Sequence, residues 1–103
     1  MAGNGSLSIP FAAKLDRMKQ GEIPVDIVEV ERMGKVCSMD SDFPLTIGLE
    51  LLKTGQVVEA IGYFRQAREI LLRQLEINPD DQWANKKLED IHSRLEKAEI
   101  RLG

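Results

Sequence analysis

Residues 51–67 read LLKTGQVVEAIGYFRQA, which describes the end of one helix, a turn at Gly55 and the start of a second helix. Ala60, Phe64 and Ala67 stand at i, i+4 and i+7, so they share one face of the second helix. On this face the small side chains of Ala60 and Ala67 flank the ring of Phe64, so a neighbouring helix can approach closely and pack around the ring. Gly55 stands where the chain leaves the first helix in a left-handed conformation, which glycine adopts without steric cost. This segment predicts a helical hairpin that stacks on other helices.

The first helix of this hairpin is marked by apolar residues that recur every four positions. Phe43, Ile47 and Leu51 show this spacing, which predicts one buried face. Ser41 or Asp42 is expected to cap the helix by accepting hydrogen bonds from its first free N–H groups.

The second helix is expected over about residues 57–77. Asn78-Pro79 ends it, because proline disfavours helical geometry in the residue before it. Glu69 stands four residues from both Arg65 and Arg73, so we expect two ion pairs along the surface of this helix.

The last helix is expected to begin after a cap at Asp80 or Asp81. Its apolar residues are spaced 4, 3, 4, 3 and 4 apart, which is a heptad seam. The seam consists of Ala84, Leu88, Ile91, Leu95, Ala98 and Leu102.

The first forty residues predict a further helix that begins near Pro10, a residue suited to the first helical turn. Phe11, Leu15 and Met18 form its apolar stripe, and Gly21 ends it.

The next element is expected to be a helix opened by Pro24, with Ile27, Val30 and Met33 among its apolar residues. The β-branched, partly alternating residues 25–30 also allow a strand, which we keep as the alternative.

Composition and charge exclude several function classes. The chain has 103 residues, enough for one small domain, and a net charge of −3 with both signs interspersed, which argues against binding to nucleic acid. It has no apolar run near the ~20 residues that span a bilayer, and its one cysteine, Cys37, excludes an internal disulfide. We expect a cytoplasmic protein. No phosphate loop, metal-ligand cluster or nucleophile–base set occurs, and His92 has no second ligand nearby, so we expect no catalysis, cofactor or metal.

The chain also repeats weakly at a distance of 34 residues, the period of the tetratricopeptide repeat. The matched pairs are Pro10 and Pro44, Leu15 and Leu49, Lys19 and Lys53, Gly21 and Gly55, and Ile27 and Ile61. The second copy resembles that repeat closely at Ile47-Gly48, Gly55, Ala60, Phe64 and Ala67. The first copy departs from it, because Asp26 and Val30 replace a small residue and an aromatic one.

The length of the second helix points to a related family. A tetratricopeptide repeat would close with a proline at Leu72, whereas Pro79 comes seven residues later. A long second helix, a short loop and a final helix ending in LEKAEIRL resemble the MIT (microtubule interacting and transport) domain, a three-helix bundle. The matching residues, within 43–102, are Gly55, Glu59-Ala60, Phe64, Ala67 and Lys97-Ala98-Glu99.

The resemblance implies a binding function. MIT domains bind helices or extended tails of ESCRT-III subunits in grooves between their helices, so it implies a protein partner between the second and third helices of the bundle. The residues expected to line that groove are Arg68, Leu72 and Leu75 on one side and Ile91, Arg94, Leu95 and Glu99 on the other.

Several of these residues also have a structural interpretation. Ile91 and Leu95 lie on the heptad seam, where core residues are expected, and Glu99 suits a solvated terminal charge. Trp83 either plugs the end of the bundle or is an exposed anchor for a partner. The seam over residues 88–102 also allows pairing with a second copy of the chain.

Together these patterns predict an all-α antiparallel bundle, with a tetratricopeptide-like hairpin and a long C-terminal helix. We expect a flexible leader at residues 1–9, a helical hairpin at 10–40 and a three-helix bundle at 41–103. The expected function is a protein–protein interaction module, such as an adaptor. The alternative is a homo-oligomerisation or tetratricopeptide scaffold unit within a larger complex.

Overall fold

The computed structural model describes residues 8–103, with side chains from residue 13 onward. Within that range the chain forms five α-helices and no strand, which confirms the all-α prediction. The helices are α1 (Ser8–Lys19), α2 (Ile27–Val36), α3 (Asp42–Lys53), α4 (Val57–Ile77) and α5 (Gln82–Leu102). Residues 1–7 of the expected leader lie outside the described residues, as does the side chain of Phe11. Ser8 and Ile9 belong to α1.

Glycine residues end two of the helices, and polar residues cap the ends of others. Gly55 has a φ value of 82°, the left-handed conformation predicted for it after α3, and Gly21, which was predicted to end α1, has a φ value of 79°. Asp81 caps α5 by accepting a hydrogen bond from the N–H of Ala84 at 3.0 Å. The predicted bounds of α4 are confirmed, and Asn78 is its C-cap.

The beginning of α2 corrects the sequence interpretation. The helix begins at Ile27, not at Pro24, because the side chain of Asp26 accepts a hydrogen bond from the N–H of Glu29 at 3.2 Å. The strand alternative for residues 25–30 is wrong, since Val30 and Met33, three residues apart, are both buried on one helical face.

The cap of α3 also differs from the prediction. Ser41 stands at the N-cap position, but its side chain makes no capping hydrogen bond and is fully buried. Asp40 instead accepts a hydrogen bond from the backbone N–H of Asp42 at 2.9 Å. The carboxylate of Asp42 lies between two ammonium groups, 3.4 Å from Lys19 Nζ and 3.2 Å from Lys87 Nζ. These contacts fasten α1 and α5 to the start of α3.

The tightest helix contact joins α3 and α4 at Gly48. A Cβ atom built on Gly48 would lie 2.6 Å from Cε1 of Phe64 and 3.3 Å from the carbonyl oxygen of Ala60. Phe64, Ala60 and Ala67 are fully buried, so the predicted small–large–small face is the α3-facing side of α4. The absence of a side chain at Gly48 therefore lets the ring of Phe64 seat against the backbone of α3.

The heptad seam of α5 packs within the same chain. α5 packs on α4, and Ala84, Ile91, Leu95 and Ala98 are buried, whereas Leu102 is exposed. Four of the six seam residues are thus covered within the chain, and Leu88 is half-buried.

Packing joins α2 to α3, α3 to α4 and α4 to α5, so α3 lies between α2 and α4, and α4 lies between α3 and α5. Buried residues from all five helices belong to one hydrophobic cluster. Leu15 and Met18 supply the part from α1, and Val30 and Met33 supply the part from α2. The hairpin predicted for 10–40 and the bundle predicted for 41–103 therefore share a core.

Candidate partner-binding surfaces

A cleft between α4 and α5 holds part of the site expected from the sequence. It has a volume of about 380 Å³. Its lining residues are Arg65, Arg68, His92, Leu95, Glu96 and Glu99. Three residues of the expected set, Arg68, Leu95 and Glu99, are thus brought together there.

Charges across this α4–α5 cleft already interact with each other. Nη2 of Arg65 lies 3.4 Å from Oε2 of Glu99, which joins the two helices. The ion pairs expected between Arg65 and Glu69 and between Glu69 and Arg73 are not among those formed in the described part of the chain. Arg65 turns to Glu99 because α5 brings this carboxylate over the same face of α4.

The other expected lining residues on α4 and α5 do not form a groove. Ile91 is 0% exposed, so it is a core residue and cannot contact a partner. Leu95 is 5% exposed, so it lies at the bottom of the α4–α5 cleft and offers little surface to a partner. Leu72 and Leu75 follow Arg68 on the same face of α4 but do not line the cleft. Leu75 packs against the core cluster, and Leu72 is 39% exposed.

The remaining two expected residues lie at the surface. Arg94 donates a hydrogen bond from Nε to Oδ2 of Asp90 at 2.9 Å, the i,i+4 pair that the spacing suggests. Trp83 is 52% exposed, so it does not plug the end of the bundle. The ammonium group of Lys87 lies 5.7 Å from the centre of its ring, a cation–π contact.

A larger groove, not anticipated from the sequence, runs between α2 and α4 above α3. It has a volume of about 650 Å³. Phe43, Pro44 and Ile47 of α3 form its floor and belong to the buried interior. Half-buried Gly34 of α2 and half-buried Ile70 of α4 lie on its walls. The α2–α4 groove therefore reaches down to the hydrophobic core.

One end of the α2–α4 groove is bridged by a hydrogen bond between its walls. The hydroxyl of Tyr63 on α4 donates to the carboxylate of Glu31 on α2. This hydrogen bond, with burial and the negative charge of Glu31, raises the pKa of Tyr63 above its ordinary value of 10.0. Tyr63 thus holds its proton across the neutral pH range, and the bridge fixes the spacing of the two walls.

The α2–α4 groove was missed because it depends on how three helices pack. Its residues come from separate helices, and no spacing within one helix brings them together. Gly34 is the signal that was available, because a Cβ built there would lie 3.2 Å from Cβ of Phe43. A glycine inside α2 therefore marked the close approach of α2 to α3.

The described residues offer no group of three or more metal-ligating side chains, and no helix among them is long and apolar enough to cross a bilayer. Cys37 is half-buried and His92 is exposed.

Comparison of this chain with models of protein families, with curated proteins and with solved structures gives no match. The candidate surfaces are therefore judged on their own geometry and chemistry.

Proposed function

We propose that this chain is a protein-interaction module whose α2–α4 groove binds a short segment of a partner protein. The observation that carries the proposal is an open groove of about 650 Å³ with an apolar floor and charged residues along its walls. Peptide-binding sites combine these features, because apolar anchors supply affinity and polar groups fix register.

The dimensions of the α2–α4 groove limit the length of the segment. From Tyr63 to Arg73 the α4 wall advances ten residues, which is about 15 Å at 1.5 Å per residue. That length accommodates about four or five residues of an extended peptide, at roughly 3.3 Å per residue. A module of this kind serves as an adaptor, for which we propose a cytoplasmic location because Cys37 is a free thiol.

The test is selection of random peptides displayed on phage, with the full chain as bait. We expect the enriched peptides to share apolar positions. Their affinity should fall for Ile70→Glu, which places a charge on the groove wall, and for Gln66→Trp, which fills the groove from an exposed position. Glu76→Trp is the matched control, because Glu76 is exposed on the same helix and lines neither cleft.

Circular dichroism of each variant separates lost binding from lost folding. Gln66→Trp removes no core contact, so it keeps the test valid if Ile70→Glu unfolds. Binding that survives in both folded variants would place the interaction elsewhere and reject the α2–α4 groove, as would the absence of any enriched peptide.

The α4–α5 cleft is the second candidate, because it brings together Arg68, Leu95 and Glu99. The MIT resemblance implies ESCRT-III tails as its ligand. We expect such tail peptides, if they bind there, to shift amide NMR signals of residues 65–68 and 92–99. Shifts confined to residues 30–35 and 63–73 would assign the tails to the α2–α4 groove instead.

A further inference from the structure

The α1 helix is the element least tied to the other helices. Extensive packing among the described residues joins α2 to α3, α3 to α4 and α4 to α5, and none of it includes α1. Among the described side chains of α1, at residues 13–19, Leu15 and Met18 are the buried ones. Opening of α1 would therefore disturb less of the described packing between helices than opening of α3 or α4.

Two ion pairs connect α1 to α2 and to α3. The ammonium group of Lys14 pairs with the carboxylate of Glu29 on α2. Nζ of Lys19 lies 3.4 Å from Oδ2 of Asp42 on α3. The side chains of Glu29 and Asp42 are 22% and 23% exposed, so water screens these pairs less than it screens a fully exposed pair. The two pairs therefore help to hold α1 in place.

Both carboxylates stand next to residues that line the α2–α4 groove. Glu29 directly precedes Val30 of the α2 wall. Asp42 directly precedes Phe43 of the α3 floor. No described residue of α1 lines the groove itself. α1 thus connects the wall to the floor from outside the groove, and this connection restrains the position of α2 relative to α3.

Opening of α1 would leave neither carboxylate buried and unpaired. Asp42 keeps its contact with α5, because Nζ of Lys87 lies 3.2 Å from its Oδ1. Glu29 is already partly exposed and gains water as α1 moves away. The large cost of an uncompensated buried charge, which would otherwise keep α1 closed, is therefore avoided.

We infer that α1 is a strap that holds the α2 wall and the α3 floor of the α2–α4 groove in place, and that it opens while α3, α4 and α5 stay folded. Lys14 and Lys19 are its positioning residues. The closed strap keeps α2 at the distance at which Tyr63 bonds to Glu31, and the open strap releases α2. This inference does not rest on the proposed function, because it concerns the free chain.

Amide hydrogen exchange of the ¹⁵N-labelled full chain, followed by NMR at neutral pH, tests the strap. In the wild type, amides of residues 15–20 should exchange at least about tenfold faster than the slowest amides of α4. Low concentrations of urea should leave the rates in α1 nearly unchanged, since local opening exposes little surface. Added salt should raise these rates relative to those of α4, because it screens both ion pairs.

Charge reversal at Lys19 tests what keeps the strap closed. Lys19→Glu places a carboxylate opposite Asp42 and should speed exchange in α1 about fivefold. It should also shift amide signals of residues 29–35, which report the release of α2 because Lys19 itself pairs with α3. Lys19→Arg keeps the charge and should restore wild-type exchange.

The matched control is Arg17→Glu, which makes a similar charge change in the same last turn of α1. The ion-pair partner of Arg17 in the described chain is Glu22, just beyond α1, so this variant leaves both connections to the bundle intact. Exchange in α1 should change by less than about twofold.

Three results would overturn the strap. Wild-type exchange in α1 that is as slow and as urea-dependent as in α4 would mean that α1 opens only when the whole chain unfolds. Equal acceleration by Lys19→Glu and Arg17→Glu would assign the effect to the helix itself. Signals of residues 29–35 that stay in place while exchange in α1 accelerates would separate α1 from the groove.

The wild-type measurements in urea and salt need no substitution, so they decide the matter even if Lys19→Glu fails to fold. Failure of the strap would leave the proposed function standing, because none of these measurements uses a peptide.

Discussion

The α2–α4 groove and the α4–α5 cleft share α4 as a wall but differ in how their charges are used. In the cleft, Arg65 pairs with Glu99, so a ligand must compete with a contact already made. In the groove, Lys35 and Arg73 have no ion-pair partner among the described residues, and the floor is apolar. The α2–α4 groove therefore differs from the α4–α5 cleft in its larger volume and in having charged side chains without ion-pair partners among the described residues.

The largest effect is expected from Gly48→Ala, which disturbs the α3–α4 contact that positions the groove floor. The added Cβ would lie 2.6 Å from Cε1 and 2.8 Å from Cδ1 of Phe64, whose ring is fully buried and cannot move aside without repacking. We expect the free energy of unfolding to fall by about 1–3 kcal/mol. Urea denaturation followed by circular dichroism measures it.

The matched control is Gly62→Ala in α4, where nothing lies within 4 Å of an added Cβ. Since alanine favours a helix over glycine, this variant should gain about 0.5–1 kcal/mol. Equal changes at Gly48 and Gly62 would show that backbone propensity, and not the contact with Phe64, decides the outcome. The α3–α4 contact between Gly48 and Phe64 would then not be what positions the groove floor.

A smaller effect is expected from Tyr63→Phe, which removes the bridge at the end of the α2–α4 groove. The loss of one hydrogen bond to the carboxylate of Glu31 should cost about 0.5–1.5 kcal/mol at neutral pH. Since the folded-state pKa of Tyr63 is raised above 10.0, this contribution is complete below pH 10.0 and is lost as pH rises through the folded-state value.

Urea denaturation of both proteins at neutral and strongly alkaline pH measures the difference. A gap between wild type and Tyr63→Phe that widens above pH 10.0 would have the wrong sign for this bridge. Because the bridge closes one end of the α2–α4 groove, peptides longer than the groove should bind Tyr63→Phe better than the wild type. Binding at the α4–α5 cleft should not change.

The smallest effect is expected from Glu99→Gln, which breaks the ion pair across the α4–α5 cleft. The side chains of Arg65 and Glu99 are 57% and 55% exposed, so water screens their attraction. In urea denaturation, the free energy of unfolding of Glu99→Gln should differ from that of the wild type by less than about 0.5 kcal/mol. This difference should stay small when salt is added, because salt screens the pair further. A loss of more than about 2 kcal/mol would mean that this pair holds α5 in place.

Local chemistry allowed much of the fold to be predicted. Gly55, the Asn78-Pro79 stop and the heptad spacing fixed the ends of α4 and the buried face of α5, because each acts within one or two helical turns. Predictions failed where two local options competed. Asp26, and not Pro24, begins α2, and Asp40, and not Ser41, supplies the hydrogen bond at the start of α3.

The candidate site was predicted less well, because it depends on packing between helices and not on local chemistry. Ile91 and Trp83 were placed correctly on their helix, but only packing buries the first and exposes the second. The sequence by itself determined that α3, α4 and α5 are helices, where α4 turns back on α3 and which stripe of each of these helices is apolar. The tertiary structure alone decided that α2 and α4 stand apart over Phe43 to form a groove. Periodicity acts along one helix, whereas a groove depends on distances between helices that are remote in sequence.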